Sequence, residues 1–275
     1  MDPVPVSEIL ELVESYDPAA DSSPVLTYAR LVRDFPYHDG GLGTLRAIRV
    51  ADFASMAYCP YQGWHRAVGT PVIRPERVAK AVVKGTAMHA TRETTLLEVA
   101  ARVKPATERQ LRDPDIDLIE LPEVPGRFSR PPWVYLAKLD GLSREQGHLL
   151  VHEMKTGRYT RRPDHLLQVW AYCLAVPGAI NRATDGNLRA RGLSWALDYP
   201  VLGDVWGPYP FTERQLGLLT QAMTAYEATS SRAVAKEPLV LDWAPIAARC
   251  SPCGFAHSCN WKAGRDSHPR ILESD

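Results

Sequence analysis

The stretch that decides the fold is residues 133–157, WVYLAKLDGLSREQGHLLVHEMKTG, in a chain of 275 residues. Two strand-like segments, WVYLAKLDGL and HLLVHEMKTG, flank the polar connection SREQG, whose length suits a hairpin turn. The second segment is too apolar for an exposed edge strand, so we expect it to lie inside a sheet. Charged side chains in such a strand indicate a function, because a buried charge is unfavourable without a compensating partner.

The charged side chains of this hairpin are predicted to meet at one place. Period-two geometry puts Glu153 and Lys155 on the same face of the second strand, and the hairpin brings Asp140 beside Glu153. Two carboxylates repel each other unless a cation lies between them, and oxygen ligands of this kind suit Mg²⁺ or Mn²⁺. A neighbouring lysine can orient a water and stabilise charge on a phosphate. A lone Glu-x-Lys pair is more often solvated; the apolar surroundings favour a site here.

Composition limits the class of protein. A hydrophobic content of 45% supports a real core and excludes wholesale disorder. No apolar run approaches the roughly 20 residues that span a bilayer. The beginning, MDPVPVSEIL, lacks the basic start and apolar run of a secretory signal. We therefore expect a soluble, cytoplasmic protein with no membrane partner.

The net charge of zero conceals an asymmetry along the chain. Residues 1–29 contain six acidic residues and no Lys or Arg, which leaves 32 basic and 26 acidic residues, a net charge of +6, in the remainder. Such a basic body is compatible with nucleic acid. Residues 1–43 are predicted to form an acidic helical extension that either shields a basic groove, recruits a partner or is simply solvated. Residues 44–275 are predicted to be the main domain.

Four of the five cysteines have the pattern of a metal site. Cys250, Cys253 and Cys259 form a C-x₂-C-x₅-C motif, and Cys59 is the candidate for a fourth ligand. Cys173 lies in an apolar run and is predicted to be a core residue. Clustered spacing without an export signal favours a metal over disulfides. The spacing alone does not separate a zinc ion from an iron–sulfur cluster.

Helical patterns flank the hairpin and carry three further polar candidates. Residues 76–103 are predicted to form one long helix, in which His89 follows Gly85 by four residues and is a candidate metal ligand. Gln168 and Tyr172 lie one turn apart on the helix after the Glu-x-Lys strand. A lone helical histidine is more often a core or surface group, and a Gln and Tyr pair is more often a polar stripe beside a core face.

Three other segments have a predicted structure. Residues 113–126, with five acids and three prolines, are predicted to be an irregular surface excursion. Residues 193–200, LSWALDYP, are predicted to be a strand. A helix is expected to begin after Thr212, because Thr212 and Gln215 have the spacing of a capping box.

Taken together, these motifs resemble the RecB-like branch of the PD-(D/E)XK nucleases. Asp140 followed by Glu153-Met154-Lys155 matches the signature, with Leu139 in place of the usual proline. GTAMH is similar to its G-x-x-x-H motif, and QVWAY is similar to its Q-x-x-x-Y motif. The cysteine pattern resembles that of the iron–sulfur members. The most similar family is the fourth CRISPR-associated protein family, whose resemblance to this chain covers residues 46–262.

The resemblance implies a fold and a set of site residues. The fold would be an α/β, restriction-endonuclease-type core with a mixed central sheet flanked by helices, a helical part and a Cys₄ iron–sulfur lobe. The resemblance implies that a 4Fe–4S cluster joins the two ends of the domain through Cys59, Cys250, Cys253 and Cys259. The implied ligands of Mn²⁺ or Mg²⁺ are His89, Asp140, Glu153 and the Met154 carbonyl. Lys155 would position the water, and Gln168 and Tyr172 would support the site.

The implied function is a metal-dependent exonuclease that acts on single-stranded DNA or DNA ends, in the 5′→3′ direction, and processes prespacers beside the CRISPR integrase complex. The segment KTGRYTRRPDH adds a basic loop after the catalytic strand. Its candidate DNA-binding residues are Arg158, Tyr159, Arg161 and Arg162, which suit phosphates and unpaired bases. A merely solvated basic loop is the alternative.

Three other functions are compatible with the same residues. A nuclease of this superfamily can process DNA ends in repair or in a virus. A DNA-binding adaptor can keep the nuclease face without cutting, although intact Asp140, Glu153 and Lys155 argue against this. A structural subunit can use the four cysteines to hold zinc.

Overall fold

The structure is a computed structural model, and it describes residues 5–37, 45–102, 107–157, 162–237, 239 and 247–261. Within this part of the chain the strands are β1 (Arg46–Arg49), β2 (Leu118–Arg130), β3 (Trp133–Glu145), β4 (His148–Met154), β5 (Gly192–Tyr199) and β6 (Asp204–Pro210). The helices are α1 (Val6–Glu14), α2 (Tyr28–Asp34), α3 (Val50–Tyr58), α4 (Pro60–Ala67), α5 (Glu76–Arg102), α6 (Glu108–Arg112), α7 (Pro163–Ala183), α8 (Glu213–Val234) and α9 (Ala247–Cys250).

The described strands form one mixed sheet in the order β1-β3-β4-β5-β6, with β2 also paired to β3. β4 lies between β3, to which it is antiparallel, and β5, to which it is parallel. The prediction that the apolar Glu-x-Lys strand lies inside a sheet is therefore confirmed. So is the coarser prediction of an α/β protein with a mixed central sheet flanked by helices.

A two-residue turn sets the register of the β3–β4 hairpin. Glu145 pairs with His148, and the residues between them, Gln146 and Gly147, have φ angles of 49° and 81°. Positive φ at both central residues is the backbone of a type I′ turn, whose twist matches that of the flanking strands. The turn therefore fixes which β3 residue lies opposite each β4 residue.

α7 is the central helix of the core. It packs against α3, β2 and β5, and Cys173 within it is 0% exposed, as predicted. The Trp170 ring meets the Trp195 ring of β5 edge-on at 6.3 Å between centroids, and the Tyr16 ring at 5.1 Å. Buried aromatic pairs of this geometry add to the stabilisation from apolar burial.

The N-terminal helices belong to this same core. Ile9, Leu10 and Val13 of α1 are buried in the hydrophobic cluster that also contains Trp170. Leu31 of α2 is fully buried there too. The described part of the predicted extension therefore packs against the domain rather than standing apart from it.

The prediction of an irregular excursion over residues 113–126 was wrong, because β2 occupies most of it and pairs with β3 along nearly its whole length. Pro122 and Pro125 are tolerated because β2 lies at the edge of the sheet and has only β3 as a described partner. Gly126 permits the close approach of α7: a Cβ there would lie 2.7 Å from the Ala175 carbonyl oxygen.

The other local predictions hold. The long helix is present as α5, the strand predicted over residues 193–200 is β5, and α8 begins with the Thr212–Gln215 capping box. Among the described residues, none of the helices combines the length and apolarity needed to cross a bilayer.

Candidate active site and candidate metal centre

The candidate active site lies where β3 and β4 run side by side near α5 and α7. The register pairs Gly141 with His152, which makes Asp140 and Glu153 neighbours on the two strands. The Asp140 carboxylate accepts a hydrogen bond from the Met154 amide at 2.8 Å. The structure thus brings Asp140 next to the Glu-x-Lys strand, as the hairpin predicts.

Lys155 is held between two acceptors. Its Nζ lies 2.6 Å from Glu153 Oε1 and 2.6 Å from Gln168 Oε1. Gln168 donates from Nε2 to Glu153 Oε1 at 2.9 Å and to Tyr172 Oη at 2.7 Å. The end of β4 and the first half of α7 therefore share one polar network, which contains Glu153, Lys155, Gln168 and Tyr172.

Glu153 is an incompletely paired acid inside this network. The residue is 4% exposed, and its Oε2 atom is buried with no hydrogen-bond partner among the described residues. Burial raises the pKa of Glu153 to about 7, with Lys155 opposing the shift and Asp140 adding to it. An orphaned carboxylate oxygen of this kind suits a divalent cation, which would compensate for the lost hydration.

α5 approaches the site through one face. Gly85 leaves room for Thr156, two residues after the end of β4, since a Cβ at Gly85 would lie 2.6 Å from Thr156 Oγ1. One turn later, His89 Nδ1 lies 3.3 Å from Asp140 Oδ1. The hydrogen bond to Asp140 raises the pKa of His89. Burial alone would raise the pKa of Asp140, but the hydrogen bond and charge of His89 hold it below its usual value.

The side chains at this site are of the types that bind a divalent cation, but in the structure they contact one another instead of surrounding a common point. Within the described ranges, no three His, Cys, Asp or Glu side chains form a preassembled site for one ion. His89 and Asp140 instead contact each other, and Glu153 contacts Lys155. The observation in favour of an ion is the orphaned Oε2 of Glu153. Met154 contacts Asp140 through its nitrogen, and ligation by its carbonyl stays a prediction.

The second candidate site is a cavity at the C-terminal end of α3. Cys59 is both the C-cap of α3 and the N-cap of α4, where Pro60 occupies the first turn. The C-terminal trio begins at the last residue of α9. The cavity is lined by all four predicted cysteines, namely Cys59, Cys250, Cys253 and Cys259.

Two N–H groups face one of these cysteines, while burial raises the thiol pKa of both Cys59 and Cys253. Gln62 Nε2 and the Phe255 amide each lie 3.4 Å from Cys253 Sγ and donate to it. Burial raises the pKa of Cys59 to about 12, so its thiol stays protonated at neutral pH unless a cation compensates. The donor set therefore fits a bound metal or metal–sulfur cluster.

Aromatic rings surround the cavity and limit its contact with water. Tyr61 stacks on Trp261 at 4.5 Å between centroids, and His65 stacks on Phe255 at 5.3 Å. No three of the described cysteines gather into a single-ion site.

The basic loop predicted to bind DNA is described only at its end, because Arg158, Tyr159 and Arg161 lie outside the described residues. Arg162 is described, and it forms two hydrogen bonds to Asp164 at 2.9 and 2.7 Å. Its guanidinium also lies 4.5 Å from the centre of the Tyr58 ring. Its contact with DNA stays a prediction.

Sequence reasoning missed several residues that hold these sites together. The Asp198 carbonyl accepts the Lys155 amide at 2.8 Å, and its carboxylate lies 3.7 Å from Arg92 of α5. Tyr58 and His65 were not singled out either. Their positions depend on segments distant in sequence, and no motif or spacing marks them.

Comparisons with known proteins add little to this geometry. No family model matches the chain, and no curated protein matches it. Among solved structures, one entitled "Crystal structure of SSO0001" is similar over 94% of this chain and 95% of its own, with 12% identity and a TM-score of 0.42. That likeness carries no functional argument, so function is inferred from the sites themselves.

Proposed function

We propose that the protein is a metal-dependent nuclease of the RecB-like PD-(D/E)XK type, which hydrolyses single-stranded DNA from its ends. The observation that carries the proposal is the buried Glu153 carboxylate, whose Oε2 atom has no described partner although Lys155 and Asp140 lie beside it. Structural carboxylates are normally fully hydrogen-bonded when buried, whereas a ligand site keeps an oxygen free.

The proposed metal-binding residues are His89, Asp140 and Glu153. When bound, Mn²⁺ or Mg²⁺ would supply charge stabilisation to the phosphate and lower the pKa of a water. The chain's own contribution is positioning: β3 and β4 fix the two carboxylates side by side, and α5 presents His89 to Asp140.

Lys155 is proposed to hold the attacking water or a phosphate oxygen. An ammonium group has three N–H donors, and two are directed at Glu153 and Gln168 in the described network. The third is left for the reacting atoms. Water gives up a proton to the solvent and attacks phosphorus, the bond to the leaving sugar oxygen breaks, and that oxygen takes up a proton. Gln168 and Tyr172 would hold the side chains of Lys155 and Glu153 in position during this step.

The cysteine cavity is proposed to hold a 4Fe–4S cluster. Four cysteines line it, and two N–H groups donate to Cys253. On this proposal the cluster joins the segment at Cys59 to the C-terminal trio. The biological role we propose is the trimming of prespacer ends beside the CRISPR integrase complex.

The test of the nuclease uses single-stranded DNA labelled at its 5′ or 3′ end, with Mn²⁺ and anaerobically purified protein. Wild-type protein should degrade the DNA from the 5′ end, and Lys155→Ala should not. Lys80→Ala is the matched control, because this exposed lysine of α5 contacts only Glu76 among the described salt bridges. If all three proteins bind DNA and leave it intact, the protein is an adaptor and the catalytic proposal is wrong.

Iron and acid-labile sulfide analysis of the same preparation tests the cluster. About four of each per chain would support it. A single zinc per chain would overturn it and favour a zinc-bound structural site. A duplex with single-stranded overhangs tests the role: removal of the overhangs alone, enhanced by the integrase, is the expected result.

A further inference from the structure

His65 is a buried member of the cysteine cavity that no cysteine motif includes. The residue lies on α4, is 3% exposed and lines the cavity together with the four cysteines. Its ring stacks on Phe255, with 5.3 Å between centroids and 9° between planes, which fixes its orientation. Phe255 belongs to the same segment as the C-terminal trio, so His65 is held against the ligands rather than free to rotate.

One nitrogen of this ring lacks a partner. Nε2 is buried and makes no hydrogen bond to any described residue. The other nitrogen, Nδ1, lies 3.1 Å from Thr70 Oγ1. A buried ring nitrogen left without a hydrogen bond is unfavourable, so such atoms in folded proteins usually face a ligand or an ordered water. Here the space that His65 lines is the cysteine cavity.

The contact with Thr70 decides what Nε2 can do. If the Thr70 hydroxyl donates to Nδ1, the proton of the neutral ring is on Nε2, which is then a donor. If Nδ1 donates to Thr70, Nε2 has a lone pair and is a potential metal ligand. Four cysteines already provide the four ligands that a cubane cluster requires, so a donor is the role that remains for Nε2.

We propose that His65 Nε2 donates a hydrogen bond to a sulfur atom of the cluster and thereby raises the cluster's reduction potential. Hydrogen bonds to cluster sulfurs stabilise the more negatively charged, reduced state. The inference rests on the proposed cluster, and it makes His65 a positioning and tuning residue rather than a ligand.

The test compares His65→Phe and His65→Gln with wild-type protein. Phenylalanine keeps an aromatic ring against Phe255 and removes both nitrogens, whereas the glutamine amide places an N–H near the position of Nε2. Trp64→Phe is the matched control, because Trp64 Nε1 is also buried without a described partner but does not line the cavity. The readouts are iron and sulfide content and the midpoint potential from a titration followed by electron paramagnetic resonance.

We expect His65→Phe to keep its iron and to have a lower midpoint potential than wild type. His65→Gln should recover part of the difference, and Trp64→Phe should match wild type. A wild-type potential in His65→Phe would overturn the proposal, and so would His65→Gln matching His65→Phe. If His65→Phe holds no iron, a loaded His65→Gln with a lowered potential supports the donor role. Loss of iron from both variants instead makes His65 a ligand and overturns it.

The two levels of proposal fail in different ways. If wild-type protein cleaves DNA and His65→Phe has an unchanged potential, only the role assigned to His65 is wrong. If wild-type protein contains no iron, both the proposed cluster and the role assigned to His65 are wrong. The nuclease proposal would still be judged by Lys155→Ala alone.

Discussion

At the scale of single residues, the deep burial of the Glu153 carboxylate opposes folding, and Lys155, 2.6 Å from one of its oxygens, offsets only part of this effect. The pKa of Glu153 is raised from 4.5 to about 7. The folded state therefore holds the proton more tightly than the unfolded state. Consequently, the free energy of unfolding should decrease as pH rises from about 4.5 to about 7, by on the order of 1–3 kcal/mol.

Glu153→Gln should remove that pH dependence. We expect wild-type protein without added divalent cation to lose stability to urea between pH 5 and pH 8, and the variant to lose less. Mn²⁺ should stabilise the wild type at pH 8 and leave Glu153→Gln unchanged, while DNA cleavage is abolished in the variant. Parallel stability curves for the two proteins would contradict the assignment of Glu153 as the incompletely paired acid.

Single residues also show what sequence can and cannot predict about the site. Asp140, Glu153 and Lys155 are predictable because a strand has a strict period and a short hairpin fixes the opposite residue. His65 and Tyr58 are not, because their neighbours come from the C-terminal segment and from α7. No local pattern encodes which distant segment will pack against a helix.

At the scale of elements, α1 and β2 show the same limit. The spacing of apolar residues predicts that α1 buries one face, but not that the face packs on α8 and α7. For β2, the prolines and acids favour a loop, yet pairing with β3 outweighs those local preferences. Elements whose apolar residues recur with one clear period could be predicted from the sequence. Elements whose structure depends on pairing or packing with a neighbour could not.

The N-terminal segment is joined to α8 through Asp21. Its carboxylate accepts hydrogen bonds from Tyr16 Oη at 2.7 Å and from the α8 N-cap, Thr212, at 2.6 Å. Burial alone would raise the pKa of Asp21, but hydrogen bonds from Thr212, Tyr16 and Ser23 lower it to about 2. The stabilisation is thus present above pH 4 and is lost as pH falls toward 2.

Asp21→Asn should destabilise the protein by about 1–2 kcal/mol at pH 6, because the amide offers one acceptor in place of a charged pair of oxygens. The difference from wild type, measured by urea unfolding, should shrink as the pH is lowered from 4. Asp17→Asn, at an exposed acid in the same segment, should have no such effect. Equal effects of the two substitutions would show that Asp21 does not anchor the segment.

α5 is mostly exposed, so its few contacts with the strands determine where His89 lies. Gly85→Ala would place a methyl group 2.6 Å from Thr156 Oγ1, so either the Thr156 side chain or the helix would have to move. We expect DNA cleavage to fall about tenfold, since displacements near 1 Å at a site have effects of this size or larger. Gly85→Ala combined with Thr156→Ala should restore activity, because the clashing atom is removed. Persisting loss in the double variant would assign the defect to α5 itself.

At the scale of the whole molecule, one aromatic ring connects the two candidate sites. Tyr58 precedes Cys59, and its ring lies 4.5 Å from the guanidinium of Arg162 and 5.6 Å from that of Arg249. Arg249 precedes Cys250, and its Nη1 donates to the Tyr58 carbonyl at 2.9 Å. Arg162 is the N-cap of α7, the helix that carries Gln168. We therefore expect a change in the cysteine segments to affect the helix whose Gln168 contacts Lys155.

Tyr58→Leu should weaken this connection. Tyr58→Phe should largely preserve it, because the ring is retained and only the long hydrogen bond from Tyr58 Oη to the Arg249 carbonyl, at 3.4 Å, is lost. Two cation–π contacts are worth about 1–2 kcal/mol together, so chelators should remove iron about tenfold faster from Tyr58→Leu than from wild type. Since coupling between sites is reciprocal, DNA with Mn²⁺ at the active site should slow iron loss in wild type and Tyr58→Phe. The same protection should be absent in Tyr58→Leu. If DNA protects the iron equally in all three proteins, the sites communicate by another route, or DNA shields the cavity directly.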